Sequence, residues 1–389
     1  MMEEARMGAG ESIEVRGQQV RGDLALRDDD VELRRLLRDN PLPGAITVTL
    51  EREPDFFLGS TVEGDVHQTI VGRLVGEEQR LMGLGSRSVR DAWLDGEAGR
   101  LGYLSALRID RAYRGGGGAL KEGYRIMREL HEESGDTPFY VTTIIADNRV
   151  AREVLERDRG WKPKYDRRGA VSTLVLPVIF PRLRPPLLGA EVRRASADMA
   201  GDIADCLQRC YRGYQFAPRW SAESLTDGSL CRGLRIEDFT VALRQGRVVG
   251  CVAAWDQLAF KQTVVRGYSG WMRKIQPLVG RVGPLLRWPG MPEPGGTLRQ
   301  VFLSHLAVEG DDPRLGLALL TSALNRLVGR GYAFATTGLA EGSPLLPAVK
   351  RAFLNIEYRS ILYLVYWEDG VEAAQRLDDR PPHLEVATL

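Results

Sequence analysis

The stretch Leu107-Arg108-Ile109-Asp110-Arg111-Ala112-Tyr113-Arg114-Gly115-Gly116-Gly117-Gly118-Ala119-Leu120 runs from an apolar strand through a basic segment and four glycines into a helix. Glycines carry no Cβ, so a ligand can lie directly on their backbone N–H groups. The first turn of the helix that follows brings unpaired amides and the positive end of its dipole to the same point. The combination predicts an anion site, for a phosphate or pyrophosphate. Two common phosphate loops do not fit. A P-loop needs Lys and Ser or Thr after its last glycine, where this chain has Ala119 and Leu120. The dinucleotide fingerprint needs Gly or Ala where Leu120 stands, and no acidic residue closes a second strand at the required distance.

Arg114, Gly117 and Ala119 match an Arg/Gln-x-x-Gly-x-Gly/Ala pattern, and Leu107, Ile109, Asp110 and Tyr113 supply a strand-and-bulge lead-in. About 30 residues on, Asn148-Arg149-Val150-Ala151 opens a helix that runs through Val154 and Leu155 to Gly160-Trp161. Together these elements resemble the acetyl-CoA loop and the Asn-x-x-Ala…Gly-aromatic segment of the GNAT (GCN5-related) N-acetyltransferases. The resemblance implies acetyl-CoA as acyl donor. It places the pantetheine arm along Leu107, Arg108 and Ile109, and the pyrophosphate on the amides of Gly115, Gly116, Gly117, Gly118 and Ala119. Arg114 adds charge, and Asn148 and Ala151 contact the donor from the far side. It further implies direct attack by an amine, with a strand amide polarising the acyl carbonyl. The purely structural alternatives are a tight turn at the glycines and a plain N-cap at Asn148.

The chain has 389 residues, enough for two cores. A formal net charge of +1 offers neither nucleic acid nor an anionic membrane a broad electrostatic partner. Cys206, Cys210, Cys231 and Cys251 lack metal-ligand spacing, so no metal is expected and buried thiols are the simpler reading. No apolar run reaches membrane-spanning length and the start is charged, which reads as a cytoplasmic protein. Oligomeric state stays open, with a homodimer among the expected assemblies.

The order of elements occurs twice. Residues 1–22 read as a disordered tail. In 23–180, strand-like runs lead to the glycine loop, a helix at 117–134, the strand Phe139–Ile145, a helix from Asn148 and the strand Ala170–Ile179. Prolines at 181, 185 and 186 mark a linker over 181–188. In 189–372 the sequence of elements repeats, and 373–389 reads as a tail. Leu306-Ala307-Val308-Glu309 lies 199 residues after Leu107-Arg108-Ile109-Asp110, and at the same offset Gly316 falls on Gly117 and Ala318 on Ala119. The fold class that follows is α/β: two tandem GNAT-like domains from a duplication, each a mixed, mostly antiparallel sheet flanked by helices. Pro313, Arg314, Leu315 and Leu317 replace Arg114 and three glycines in the second copy, which predicts a degenerate loop there. Trp271, Met272, Ile275 and Leu278 form a helical stripe in an insert, read as packing or as a lid.

The chemistry asks for a proton acceptor. An amine of pKa about 10.4 costs roughly 4.6 kcal/mol to hold neutral at pH 7, whereas one near 8 costs about 1.4. Glu51 and Glu53, after the strand at 45–50, and Asp110 are the candidates for a general base. The tyrosine that many GNAT enzymes carry after the Asn is replaced here by Leu155. Tyr140, Tyr165 and Tyr103 are its candidate substitutes, and His305 reads as a core histidine of the second half. The expected function is transfer of an acyl group from acetyl-CoA to an amine of a small molecule or peptide. A non-catalytic acyl-CoA sensor and a tandem-GNAT aminoacyl or long-chain acyl transferase are the alternatives.

Overall fold

The computed structural model describes residues 12–15, 17–115, 117–187, 189–270, 272–274, 276–277 and 288–389. A hairpin of β1 (Ile13–Val15) and β2 (Gln18–Leu24) turns at Gly17, whose φ of 79° is open to glycine at little cost. Helix α1 (Asp30–Arg38) buries Leu33, Leu36 and Leu37 on one face. After β3 (Ile46–Glu51) and the short α2 (Phe56–Ser60) come three long strands: β4 (Val66–Leu74), β5 (Glu77–Leu94) and β6 (Glu97–Ile109). The first half ends with α3 (Gly118–Ser134), β7 (Tyr140–Ile145), α4 (Arg149–Glu156) and β8 (Lys164–Pro177).

The second half runs β9 (Glu191–Arg194), α5 (Ala200–Tyr211), α6 (Ala222–Thr226), β10 (Phe239–Arg244), β11 (Arg247–Trp255) and β12 (Gln262–Tyr268). It continues with β13 (Gln300–Val308), α7 (Pro313–Leu327), β14 (Phe334–Ala340), α8 (Leu345–Ala352), β15 (Ile356–Tyr366) and α9 (Val371–Arg376).

The two halves share one 13-stranded sheet, in the order β1-β2-β4-β5-β6-β7-β15-β8-β14-β13-β11-β10-β9. All neighbours are antiparallel except β6–β7 and β13–β14, which occupy matching places in the two halves. Each half gives its last strand to the other. β15 pairs with β7 of the first half, β8 pairs with β14 of the second, and β8 and β15 meet at the centre. Boundaries drawn at 180 and 189 therefore do not separate two closed sheets. β8 buries Leu174 and Leu176, and β15 buries Ile361 to Val365, so the exchanged strands are core strands. Truncating one of them, Leu362 to Ala for example, removes about 2–5 kcal/mol. A separate two-stranded ribbon, β3 with β12, also joins the halves.

Two sequence expectations need correction. Residues 12–22 are not wholly a disordered tail: β2 is paired with β4 from Val20 to Leu24, and Val15 and Val20 are buried against Leu74 and Met82. Residues 373–389 are not a free tail either. Helix α9 packs its Ala374 inward, and Leu384, Glu385, Ala387 and Thr388 are all buried. Trp271, Ile275 and Leu278 of the predicted stripe lie outside the described residues.

Candidate functional site

Helix α3 starts as the sequence requires. Gly115 (φ 91°) and Gly117 (φ 75°) both take the left-handed conformation, and a Cβ at Gly117 would meet nothing within 4 Å. Gly117 is the N-cap, no side chain caps the helix, and Lys121 makes the first helical hydrogen bond, to the Gly117 carbonyl. The amides of Gly118, Ala119 and Leu120 belong to the turn that has no intrahelical acceptor. Gly116 lies outside the described residues.

Two arginines border this loop, and their partners are neutral oxygens. Arg114 donates from Nε to the Ile109 carbonyl (3.0 Å) and from Nη2 to the Asn40 side-chain oxygen. Arg108 donates to the Leu107 carbonyl (2.9 Å), and its Nε is buried without a partner. Burial, with Arg52 and Arg114 nearby, pulls the Arg108 guanidinium down to about 10. A half-buried cation beside other cations is the environment that an incoming anion relieves. The carbonyls of Leu107 and Ile109, expected to face a pantetheine arm, are thus occupied by guanidinium groups here.

Strands β6 and β7 part beside the loop. They pair only at Gly102–Tyr140 and Tyr103–Val141, after which the Thr142 hydroxyl reaches the Leu104 carbonyl (2.8 Å). Gly102 is required at the join, because a Cβ there would lie 2.0 Å from the Tyr140 ring. Beyond it β6 carries a bulge, with Ala106 at φ 55° and the register to β5 shifted between Leu84 and Ser86. The second half repeats this device at the same offset of 199. His305 has φ 53°, β13 shifts register against β11, and β13–β14 pairing stops at Phe302–Thr336.

A buried polar cluster sits behind the first bulge, centred on Glu63, which sequence reasoning missed. Its carboxylate accepts from Arg52 and from the Ser105 hydroxyl (3.0 Å), the residue just before Ala106, with Ser88 Oγ at 3.5 Å. Burial would raise Glu63, but Arg52, His67, Lys261 and the Ser105 bond outweigh it and hold the carboxylate below its usual range. His67 Nδ1 lies 3.7 Å from Glu63 and 2.8 Å from Ser88 Oγ, and burial pulls its imidazole down to about 4 despite Glu63. Lys261, from the second half, is pulled down to about 8 by burial, with Glu63 opposing. At neutral pH the cluster therefore holds an ionised Glu63 next to a neutral imidazole.

The corresponding point of the second half is built differently. Helix α7 is capped by Asp312, whose carboxylate accepts from the Arg314 amide (2.9 Å), and Pro313 removes a donor. The Asp312 carboxylate, preceded by Asp311, puts negative charge of the protein itself where a phosphate would come. A Cβ on Gly316 would lie 2.7 Å from Leu345, so this glycine serves the packing of α7 on α8.

No protein-family model matches the sequence, and no curated protein matches it. Solved structures do match in fold. A tandem GNAT protein from the clavulanic acid biosynthesis pathway superposes with a TM-score of 0.52 at 10% identity, over 89% of this chain and 98% of that one. A GCN5-related glucosamine N-acetyltransferase region of a fungal multi-domain GH3 β-N-acetylglucosaminidase gives 0.58 at 13% identity, over 90% of this chain and 38% of that one. The chain has the tandem GNAT fold. It spans less than two fifths of the length of the fungal protein, and nearly the whole of the clavulanic acid pathway protein. A GCN5-related N-acetyltransferase from Sphaerobacter thermophilus also matches, at a TM-score of 0.48 and 12% identity, over 82% of this chain and 83% of that one.

Within this GNAT fold the residues expected to catalyse are engaged with other side chains. Glu51 accepts from Thr49 and Arg266 on the β3–β12 ribbon, and Glu53 from Arg34 and Arg38, so guanidinium groups occupy both carboxylates. Asp110 caps the turn at Ala112 (3.1 Å) and pairs with Arg35 (3.0 Å). Tyr140 is fully buried in a network with Arg87 (2.9 Å) and His131 (2.9 Å), the latter bonded to Asp369 (2.9 Å); burial pushes its hydroxyl up to about 12. This network ties α3 to Asp369 of the second half. Tyr165 is bonded to Tyr124, and Tyr103 is near Thr143 (3.4 Å). Asn148 is the N-cap of α4 and accepts from the Ala151 amide (3.2 Å), while Leu155 is buried in the core. Among the described residues no group of three or more His, Cys, Asp or Glu side chains forms a metal site, and no helix is long and apolar enough to cross a membrane.

Proposed function

We propose that the first half binds an acyl-CoA, acetyl-CoA being the expected donor, and that its acyl group passes to an amine of a small molecule or peptide. The observation that carries this reading is the loop: an uncapped helix start at Gly117–Ala119 beside Arg108 and Arg114, two cations whose partners are neutral oxygens. The matching loop of the second half is acidic and self-capped, so one donor site per chain follows. Arg108 and Arg114 would leave the Leu107 and Ile109 carbonyls for the phosphates and free those carbonyls for the pantetheine amides.

In the transfer the amine nitrogen bonds the acyl carbon, the carbon–sulfur bond breaks, and the thiol sulfur keeps the electron pair. The amine proton passes through the Ser105 hydroxyl to Glu63, which Arg52 keeps ionised at neutral pH at the cost of some basicity. A carboxylate held this low serves an amine near pKa 8 better than one near 10.4. A thiol near pKa 8.5 leaves as thiolate at pH 7 at a cost of about 2 kcal/mol, so Leu155 in place of a tyrosine is tolerable. That same Leu155 favours a second reading, an acyl-CoA-binding protein without turnover. Isothermal titration with CoA and acetyl-CoA, followed by a thiol-release screen over amines, separates them. Binding with release supports transfer, binding without release supports the second reading, and no binding overturns both.

A further inference from the structure

The cleft that opens between β13 and β14 in the second half is filled by the end of the described chain. Leu303, Leu306, Thr337 and Leu339 line it together with Leu384 and Glu385. The Glu385 carboxylate accepts from the amide of His305 (2.6 Å), the bulge residue that matches Ala106. Val386 seats against Gly338 so closely that a Cβ there would lie 1.9 Å from a Val386 methyl. Upstream, the Gln215 amide donates to the Pro381 carbonyl (3.0 Å) and the His383 amide to the Gln215 carbonyl (2.8 Å), a short strand-like pairing. The His383 ring packs on Tyr211 at 4.4 Å. Downstream, Gln257 bonds the Ala387 carbonyl (2.9 Å), Arg90 bonds the Thr388 hydroxyl, and Lys261 bonds the Leu389 carbonyl (2.6 Å).

We propose that the second cleft is a peptide-binding site whose resident ligand is the segment Pro381–Leu389, held by its backbone, by the apolar anchors Leu384 and Val386, and by the Glu385 carboxylate on the bulge amide. A carboxylate oxygen there occupies the same strand amide that, on the first half's pattern, a carbonyl of the donor would use. The cleft is thereby turned from cofactor to peptide, and the ligand class it takes is a segment with an apolar–acidic–apolar core that closes in a 3-10 turn at Val386–Thr388. Its far end meets Lys261 and Arg90, so the resident peptide also walls the polar cluster around Glu63. The inference stands apart from acyl transfer, because it concerns a segment the cleft already holds.

Hydrogen exchange on the full chain tests it. Amides of residues 383–388 are expected to exchange at least about 100-fold more slowly than in a free peptide, and to stay so when CoA is added. Exchange at free-peptide rates, or loss of protection on adding CoA, overturns the proposal. Protection gained at 115–119 on adding CoA reports on the donor site separately. In the full-length double variant Leu384→Asp/Val386→Asp, the segment should be released and a synthetic peptide of residues 381–389 should bind one per chain. The same peptide with Glu385→Ala should bind at least about tenfold more weakly. Equal binding by both peptides, or none by the native one to a folded variant, refutes the site. Should the double variant not fold, the wild-type exchange result decides alone.

Discussion

Acidification from pH 7 to pH 5 is a perturbation whose effect follows from three histidines, His305 buried and His67 and His383 mostly so. Burial pulls His67 to about 4, His305 to about 3 and His383 to about 4, against 6.5 for an exposed imidazole. Below pH 6.5 the unfolded chain takes up protons that the folded chain refuses, so stability falls as pH falls from 6.5 toward 4. At about 1.36 kcal/mol per unit, each histidine removes about 2 kcal/mol between pH 7 and pH 5, together about 6 kcal/mol. Glu385 acts the other way. Burial pushes it up to about 7, the folded state binds its proton first, and acidification over the same range returns about 2 kcal/mol. The net expectation is a loss of about 4 kcal/mol, a large share of a domain's stability. Urea unfolding followed by tryptophan fluorescence at pH 7, 6 and 5 measures it. Glu385→Gln removes the opposing titration and should steepen the loss toward about 6 kcal/mol. An unfolding free energy constant within about 1 kcal/mol over this range would refute the assignment of these imidazoles as neutral and buried.

Other perturbations have equally direct readouts. Gly102→Ala must push the Tyr140 ring out of its bonds with Arg87 and His131, and should cost about 2–4 kcal/mol by thermal or urea unfolding, while Gly123→Ala, in open space on α3, should cost nothing. Glu63→Gln keeps the side chain's shape and should lower the acyl-transfer rate by about 10²–10⁴ with CoA affinity unchanged; an unchanged rate removes Glu63 from the proton path. Asp312→Ala removes the cap of α7 and should cost about 1 kcal/mol without creating a second CoA site, since Pro313 and Leu315 remain. A second site appearing in titration would show that the cap alone excludes the donor.

Much of the proposed donor loop was legible because its signal is local. Four glycines, a basic lead-in and a following helix constrain one short stretch, and the structure puts Gly115 and Gly117 in the left-handed conformation and leaves α3 uncapped. The duplication was legible for the same reason, since a fixed offset needs no tertiary knowledge, and the paired bulges at Ala106 and His305 obey it. Strand exchange was not legible. β8 and β15 read as strands from their apolar content, yet nothing in periodicity states which sheet a strand enters. Glu63 was hidden because it stands in a turn before β4, and its partners Arg52, Ser105 and Lys261 come from three distant points of the sequence. Glu51, Glu53 and Tyr140 were plausible by residue type, and the surrounding arginines that occupy them come from α1, β5 and β12. The ends were misread for want of pattern: β1 and β2 bury Val15, Val20 and Gly22 and no longer apolar run, and Leu384 to Thr388 is too short to show any period.

The central claim, one acyl-donor site formed by the first-half loop, is tested most directly by calorimetric titration of the full chain with CoA. The expected result is one CoA per chain. Gly117→Glu, which aims a carboxylate over the loop from a left-handed position, should abolish binding, and Arg314→Glu at the second loop should leave it unchanged. Gly316→Glu is unsuited as the control, because its side chain would collide with Leu345. Two CoA per chain, none, or binding lost with Arg314→Glu and kept with Gly117→Glu would contradict the account.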